Sequence, residues 1–529
     1  MNNTKWSINT ISSYLIIPVI ITIVLIFNPD RTASLHLKGV IHLILQSIFI
    51  YGILSITNKY KILKIIFSLF LVLSLASILS YKSFPTAGII MSVLSTSFSE
   101  AYAFIKFNLY DVSLSIFFFF ALVLLPIGKN KFVNIFMLLI GSLYTITPSI
   151  VFALSNTAIP YDRETAHARG LSEVESKIEY FYSKDMAYRF PVLKSVKGFS
   201  DTLQFLKLKN QGLASSWTDV QATNNSSNIL IIGLGESLRK DHLGVYGYKR
   251  NTTPYLASIK NDLHIYDNAY SGGTNTWTSV PAMFTRFNGY PDLTKSIIHL
   301  ANDAGYETHW ISNQTKISTY DFSVSSLALQ SIFSKFSTNH TREQMKYDEV
   351  LLPKLIETLS TNKPNKKILV ILHFFGSHML FNERYPDKFE RFTSGQSQLE
   401  KSIDQYDNSV LYTDYILSKV LKISSDYNAK FIYFSDHGLG KVNSDIPLKH
   451  DARNQPDIDS INVPLISSHD LNLTTSGPIN LFYFECIFSD WSGITAKELN
   501  KDDCHKNLNS SKVEFYDSNL KLNTIKFTK

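Results

Sequence analysis

The residues best suited to chemistry in this chain are hydroxyl, carboxylate and imidazole groups spread between Glu236 and His450. The most informative stretch is Ser-Gly-Gly-Thr-Asn-Thr-Trp-Thr-Ser-Val-Pro-Ala-Met-Phe at 271–284, in which Thr276 is a candidate nucleophile. A threonine hydroxyl has a very high pKa, so it attacks only when a base or a metal removes its proton. The chain offers metal ligands at Glu236 and at the pair Asp436 and His437, which with Thr276 would form a mixed oxygen and nitrogen shell. Such a set suits catalytic zinc, and manganese also accepts it. His378 and His450 are then available to protonate a leaving alkoxide or to contact a phosphoryl group, and Lys316 to add positive charge. Each residue also has a bland alternative. A Gly/Thr/Ser loop is usually a turn, a lone Glu after a strand a solvated loop residue, and a lone Asp-His pair a turn or cap.

What raises the joint reading is placement. Short apolar runs at 229–233, 367–372 and 430–434 have the composition of strands buried on both faces. A helical pattern with spaced Tyr406, Val410, Leu411, Ile416 and Val420 covers 404–421. Parallel strands joined by helices put ligand sites at the strands' carboxyl ends. Gly-Glu-Ser, the segment from His373 to His378, and Ser-Asp-His-Gly follow the three runs. His264, His299 and His309 lack that placement and are read as structural; Asp241 and His242 read as a helix-start pair.

The 529 residues divide by composition. Residues 1–155 hold apolar runs at 11–27, 40–56, 62–81, 113–127 and 132–154, each near the ~20 residues that span a hydrocarbon core. Five transmembrane helices are expected, with Lys59, Lys61, Lys64, Lys129 and Lys131 on the cytoplasmic side and everything after Leu154 outside. Residues 156–227 read as a connector with interfacial amphipathic helices, and 228–529 as an α/β domain. The net charge of +7 is spread along the chain without a dense basic run, which argues against nucleic acid and for an anionic membrane surface. The two cysteines, Cys486 and Cys504, both lie in the exported part, where pairing is allowed; two free thiols are the alternative. Between the third and fourth runs, Glu100 could meet a cationic head group or simply end a helix in water.

At these residues the chain resembles the membrane-anchored phosphoethanolamine transferases of bacterial lipid A and lipooligosaccharide, in the alkaline phosphatase and sulfatase superfamily. The resemblance rests on Gly235-Glu-Ser-Leu-Arg239, Asn251-Thr-Thr-Pro254, Gly273-Thr-Asn-Thr276, Ser279-Val-Pro281, Gly376-Ser-His378, Arg384-Tyr-Pro386, Tyr406-Asp-Asn408, Tyr412-Thr-Asp-Tyr415 and Ser435-Asp-His-Gly438, in that order. It implies a helical membrane domain followed by an alkaline-phosphatase/sulfatase-like α/β domain in the periplasm, anchored in the bacterial inner membrane. It implies zinc held by Glu236, Thr276, Asp436 and His437, with Thr276 becoming phosphoethanolaminated. A second ion could join at His378 and His450, which match phosphate-contacting histidines. Thr96 and Glu100 match residues that hold the donor head group, and Lys316 matches a family lysine loosely. Phosphatidylethanolamine is the implied donor, and lipid A or a lipooligosaccharide core the acceptor. Gly272 and Ala282 stand where many relatives carry cysteines, so the nucleophile loop lacks a disulfide clamp. A glycerol-phosphate transferase or hydrolase of the same superfamily is the closest alternative. A sulfatase proper fits less well, because Ser279-Val-Pro-Ala-Met283 lacks the arginine of the Cys/Ser-x-Pro-x-Arg setting.

Overall fold

The structure is a computed structural model. It describes residues 37–81, 90, 102, 104–106, 108–124, 128–154, 214–223, 227–315, 322–338, 346–361, 366–440, 448–451, 456–473, 477–518 and 521–527. The chain forms two compact units, each described here by itself.

The N-terminal unit contains helices α1 (Leu37–Thr57), α2 (Lys61–Tyr81), α3 (Leu109–Leu124) and α4 (Lys131–Leu154). They fall on four of the five apolar runs; the run at 11–27 lies outside the described residues. Helix α1 packs on α4 at very short range: a Cβ added to Gly141 would sit 2.5 Å from the Phe49 Cα, and one added to Gly52 2.8 Å from the Leu138 Cα. Small residues at a helix crossing let backbones approach where no side chain could fit, as in packed membrane helices. Among the described residues, no helix is long and apolar enough to cross a membrane. Large apolar side chains are nevertheless exposed on these helices, among them Phe117, Leu124, Phe132 and Leu143.

The second unit is built on a seven-stranded sheet of β1 (Ile229–Gly235), β2 (His264–Tyr266), β3 (Glu307–Thr315), β4 (Phe333–Thr338), β5 (Ile368–His373), β6 (Lys430–Ser435) and β7 (Leu465–Ser467). The spatial order is β2-β7-β6-β1-β5-β3-β4. Strands β6, β1, β5, β3 and β4 are mutually parallel, and β7 and β2 add an antiparallel edge. In β1, Leu230, Ile232 and Leu234 enter one apolar cluster while Ile231 enters the other; Ile432 and Phe434 of β6 are likewise separated from Phe431 and Tyr433. Both faces are covered, which is why these strands read as unbroken apolar runs. Each large side chain buried this way stabilises by about 1.5–3 kcal/mol.

Three further helices matter to the site. Helix α5 (Thr276–Phe284) starts at the candidate nucleophile. Helix α6 (Leu351–Ser360) precedes β5, and α7 (Gln398–Asp426) contains the helical pattern expected over 404–421. Ser397 and Glu400 form a reciprocal capping box that sets the start of α7. From α7, Tyr406 Oη donates to the Ser237 carbonyl and accepts from the Arg239 amide, both at 2.8 Å, so the helix pins the turn after β1. Near the C-terminus, α8 (Phe484–Ser492) and α9 (Lys501–Leu508) are joined by the Cys486–Cys504 disulfide, the pairing that the exported reading allows. A final hairpin, β8 (Lys512–Tyr516) with β9 (Leu522–Lys526), backs the loop before α5.

Candidate active site

Strands β1 and β6 are hydrogen-bonded neighbours, with Gly235 opposite Ser435. The next residue of each strand is therefore delivered to the same point: Glu236 from one, Asp436 and His437 from the other. The Asp436 amide donates to the Gly235 carbonyl at 3.0 Å, and Asp436 Oδ1 accepts from the amides of Ser237 (3.1 Å) and His437 (2.7 Å). His437 Nε2 then lies 3.4 Å from both Glu236 Oε1 and Asp436 Oδ2. Its Nδ1 is 2.6 Å from the Gly438 carbonyl, which can only accept, so the Nδ1 hydrogen is committed there and Nε2 faces the carboxylates.

Thr276 comes from a separate element. Asn275 caps α5 by accepting from the Thr278 amide at 3.2 Å, which makes Thr276 the first residue of the helix. Its hydroxyl donates to Glu236 Oε2 at 3.1 Å and lies 3.4 Å from His437 Nε2. The loop before it carries no disulfide; a Cβ on Gly272 would meet that of Ala282 at 3.0 Å. Instead the Tyr516 amide donates to the Gly272 carbonyl (2.9 Å), the Thr274 amide to the Tyr516 carbonyl (3.2 Å), and Ser271 Oγ to the Asp436 carbonyl.

The loop after β5 passes over Glu236. Gly376 has φ +49°, and a Cβ there would sit 2.8 Å from the Glu236 carbonyl oxygen, so glycine is required. Asp348 accepts from the amides of Phe375 (2.8 Å) and Gly376 (2.9 Å) and fixes this turn. His378 stacks on Phe375, and its ring centroid is 5.8 Å from that of His450, which is 4.9 Å from that of His437. Of the sequence-derived candidates, Glu236, Thr276, His378, Asp436, His437 and His450 thus converge; Thr96, Glu100 and Lys316 lie outside the described residues. Asp241 and His242 are instead structural: Asp241 pairs with Arg239, and His242 Nδ1 with Asp407 at 2.7 Å. His309 is likewise structural, paired with Glu307 and stacked on Phe333.

The electrostatics are those of a cation site. Burial and the adjacent Glu236 charge push Asp436 up to about 7. Burial opposes the charge on His437, but the Asp436 and Glu236 carboxylates outweigh it and push the imidazole up to about 9. Burial likewise works against the Glu236 charge, yet His437 holds that carboxyl well below the usual range. Burial, with the cationic character of His437 and His378, pushes His450 down to about 3. Asp436 Oδ2 is buried and has no hydrogen-bond donor among the described residues, a costly state that a cation would relieve. Ligand atoms of Glu236, His437 and His450 all lie within 4.8 Å of one another, so His450 joins the group that could hold an ion. Two carboxylates, a fixed imidazole nitrogen and a hydroxyl suit zinc.

Residues 227–472 match the family model described as Sulfatase. That stretch of the chain is sulfatase-like. Among curated relatives, phosphoethanolamine transferase OpgE of Escherichia coli is 30% identical over 301 residues, 55% of this chain and 55% of that protein. The chain spans about half the length of the curated relatives it matches. Among solved structures, the integral membrane lipooligosaccharide phosphoethanolamine transferase A of Neisseria meningitidis aligns over 92% of this chain and 97% of its own, with a TM-score of 0.69 at 16% identity. The C-terminal periplasmic domain of EptC from Escherichia coli, in complex with zinc, aligns over 54% of this chain and 88% of its own, with a TM-score of 0.50 at 23% identity. At these identities the structural likeness is one of fold.

Two residues at the site were not among the named candidates, although Ser237 lies in the Gly-Glu-Ser segment. Ser237 adopts a left-handed backbone (φ +57°), donates to Glu236 Oε1 at 2.7 Å and lies 3.5 Å from His450 Nε2. Gln314, at the carboxyl end of β3, donates to Glu236 Oε2 at 3.2 Å. Only the rule that polar residues after strands form sites would have flagged them, and β3 has no continuous apolar run to announce it.

Proposed function

We propose that this protein transfers phosphoethanolamine from phosphatidylethanolamine to a surface glycolipid, lipid A or a lipooligosaccharide core, through a covalent intermediate on Thr276. The observation that carries the reading is the position of the Thr276 hydroxyl, 3.1 Å from Glu236 and 3.4 Å from His437 at the head of a helix. Glu236, Asp436 and His437, with Thr276 itself, are the residues to hold zinc. Bound there, zinc would lower the hydroxyl pKa and offset phosphoryl charge.

In the first step Thr276 Oγ, its proton released to solvent, forms a bond to phosphorus as the bond to the diacylglycerol oxygen breaks; His378 supplies the proton to that oxygen, and His450, which burial keeps neutral, contacts the phosphoryl group. In the second, an acceptor oxygen attacks the same phosphorus, Thr276 Oγ leaves, and the acceptor's proton returns to the histidine. The positive end of the α5 dipole favours the phosphoryl charge in both steps.

The donor is a lipid, and the exposed Phe117, Leu124, Phe132 and Leu143 support an N-terminal unit embedded in the inner membrane, with the catalytic unit in the periplasm. The named relatives and the zinc complex of an EptC domain support donor group and metal. Thr96 and Glu100 are assigned to the donor head group, and Lys316 to added positive charge at the phosphoryl group. The test is diacylglycerol release by the full chain in vesicles of phosphatidylethanolamine or phosphatidylglycerol. Release from phosphatidylethanolamine alone is expected; release from phosphatidylglycerol alone would replace this reading with glycerol-phosphate transfer.

A further inference from the structure

Glu236 sits at the end of β1, and the strand order places β5 and then β3 beyond it. Gln314 at the end of β3 reaches across the end of β5 to touch it. Its Nε2 is 3.2 Å from Glu236 Oε2 and 3.1 Å from the Phe374 carbonyl oxygen. Both partners are pure acceptors, so an amide flipped the other way would aim oxygen at oxygen; the geometry itself fixes the NH2 toward Glu236. With two hydrogens, that nitrogen serves both acceptors at once.

We infer that Gln314 is the positioning residue for Glu236, fixing the carboxylate for a cation without supplying charge of its own. This rests on the reading of Glu236 as a metal ligand. Each Glu236 oxygen has a neutral donor: Ser237 Oγ on Oε1 at 2.7 Å, and Gln314 Nε2 on Oε2 at 3.2 Å, beside the Thr276 hydroxyl at 3.1 Å. Two fixed donors on opposite oxygens hold the plane of the carboxylate. A lysine or arginine in place of Gln314 would compete with the ion for the same charge, whereas an amide does not.

The support is itself rigid. The Gln314 amide donates to Ser312 Oγ at 3.0 Å, and the neighbouring Asn313 Nδ2 donates to the Lys346 carbonyl at 2.7 Å and to Asp348 at 2.8 Å. Asparagine is one methylene shorter and would not span β5 to meet both acceptors. Loss of such an outer partner of a metal ligand typically lowers affinity by about 10- to 100-fold.

The experiment is zinc affinity of the full-length protein, by competition with a chromophoric chelator, for wild type, Gln314→Met and Gln314→Leu. Thermal unfolding of the metal-free proteins verifies the fold. Affinity about 10-fold weaker or more in both variants is expected, with diacylglycerol release restored by saturating zinc, a rescue that general loosening of the site would not show. Affinity within about twofold of wild type in both variants would overturn the inference, as would activity that stays low at saturating zinc. Wild type that binds no zinc would overturn it together with the metal reading. Wild type that binds zinc but releases no diacylglycerol would sink the donor assignment alone.

Discussion

Thr276 is the first residue of a helix, and its hydroxyl is placed against both the Glu236 carboxylate and the His437 imidazole. Its chemistry depends on groups that burial has already forced into unusual states, such as Asp436 and His437. The same physics acts where there is no chemistry. Glu485 in α8 is buried, its Oε2 has no hydrogen-bond partner among the described residues, and burial pushes it up from its ordinary 4.5 to about 8. A raised folded pKa means that its contribution to stability is fully present below about 4.5 and is lost as pH rises toward about 8. Replacing it by the uncharged Gln should remove that loss. Between those limits wild type should lose about 1.4 kcal/mol per pH unit relative to Glu485→Gln, read from urea unfolding at a series of pH values; parallel curves would contradict the assignment. Residues of this kind mark what a sequence conceals. Glu236, Asp436 and His437 were legible because a polar group directly after an apolar run is conspicuous, and Thr276 because small and hydroxyl residues surround it. Gln314 and Glu485 were not, since nothing in a residue's type tells whether it will be buried or whom it will meet.

Strands β1, β5 and β6 could be read from composition because they are buried on both faces, and the site follows from their being adjacent and parallel. Strand β3 escaped, because Thr308, His309, Ser312 and Asn313 interrupt it; each is buried through a specific partner rather than by apolar contact. The site also depends on elements far from it in sequence: α7 through Tyr406, and the hairpin β8 and β9 through Tyr516. By contrast the Cys486–Cys504 disulfide links α8 to α9, with a sequence separation of 18. A closed loop of that size contributes about 3 kcal/mol, mainly by restricting the unfolded chain. Cys504→Ser should therefore lower the unfolding free energy by about 2–4 kcal/mol and leave diacylglycerol release at low temperature unchanged. A lost activity in a folded variant would show that α8 and α9 serve the site as well.

At the scale of the whole molecule, a helical unit with exposed apolar side chains and a sulfatase-like domain share one chain. For an enzyme whose donor and acceptor both reside in a membrane, tethering converts a search in volume into a search in a plane and raises the effective concentration of both. A cationic group added to an anionic surface would also weaken the pull of that surface on cationic peptides. The apolar runs of the sequence foreshadowed the four described helices of the N-terminal unit, whereas the acceptor leaves no mark in the residues described. The central claim is that Thr276 carries the transferred group. It is tested most directly by peptide mass spectrometry of the full-length protein after incubation with phosphatidylethanolamine vesicles, wild type beside Thr276→Ala. A phosphoethanolamine adduct on the peptide containing Thr276, absent from the variant, is the predicted result; zinc-loaded, folded wild type that releases diacylglycerol and never shows the adduct would contradict the account.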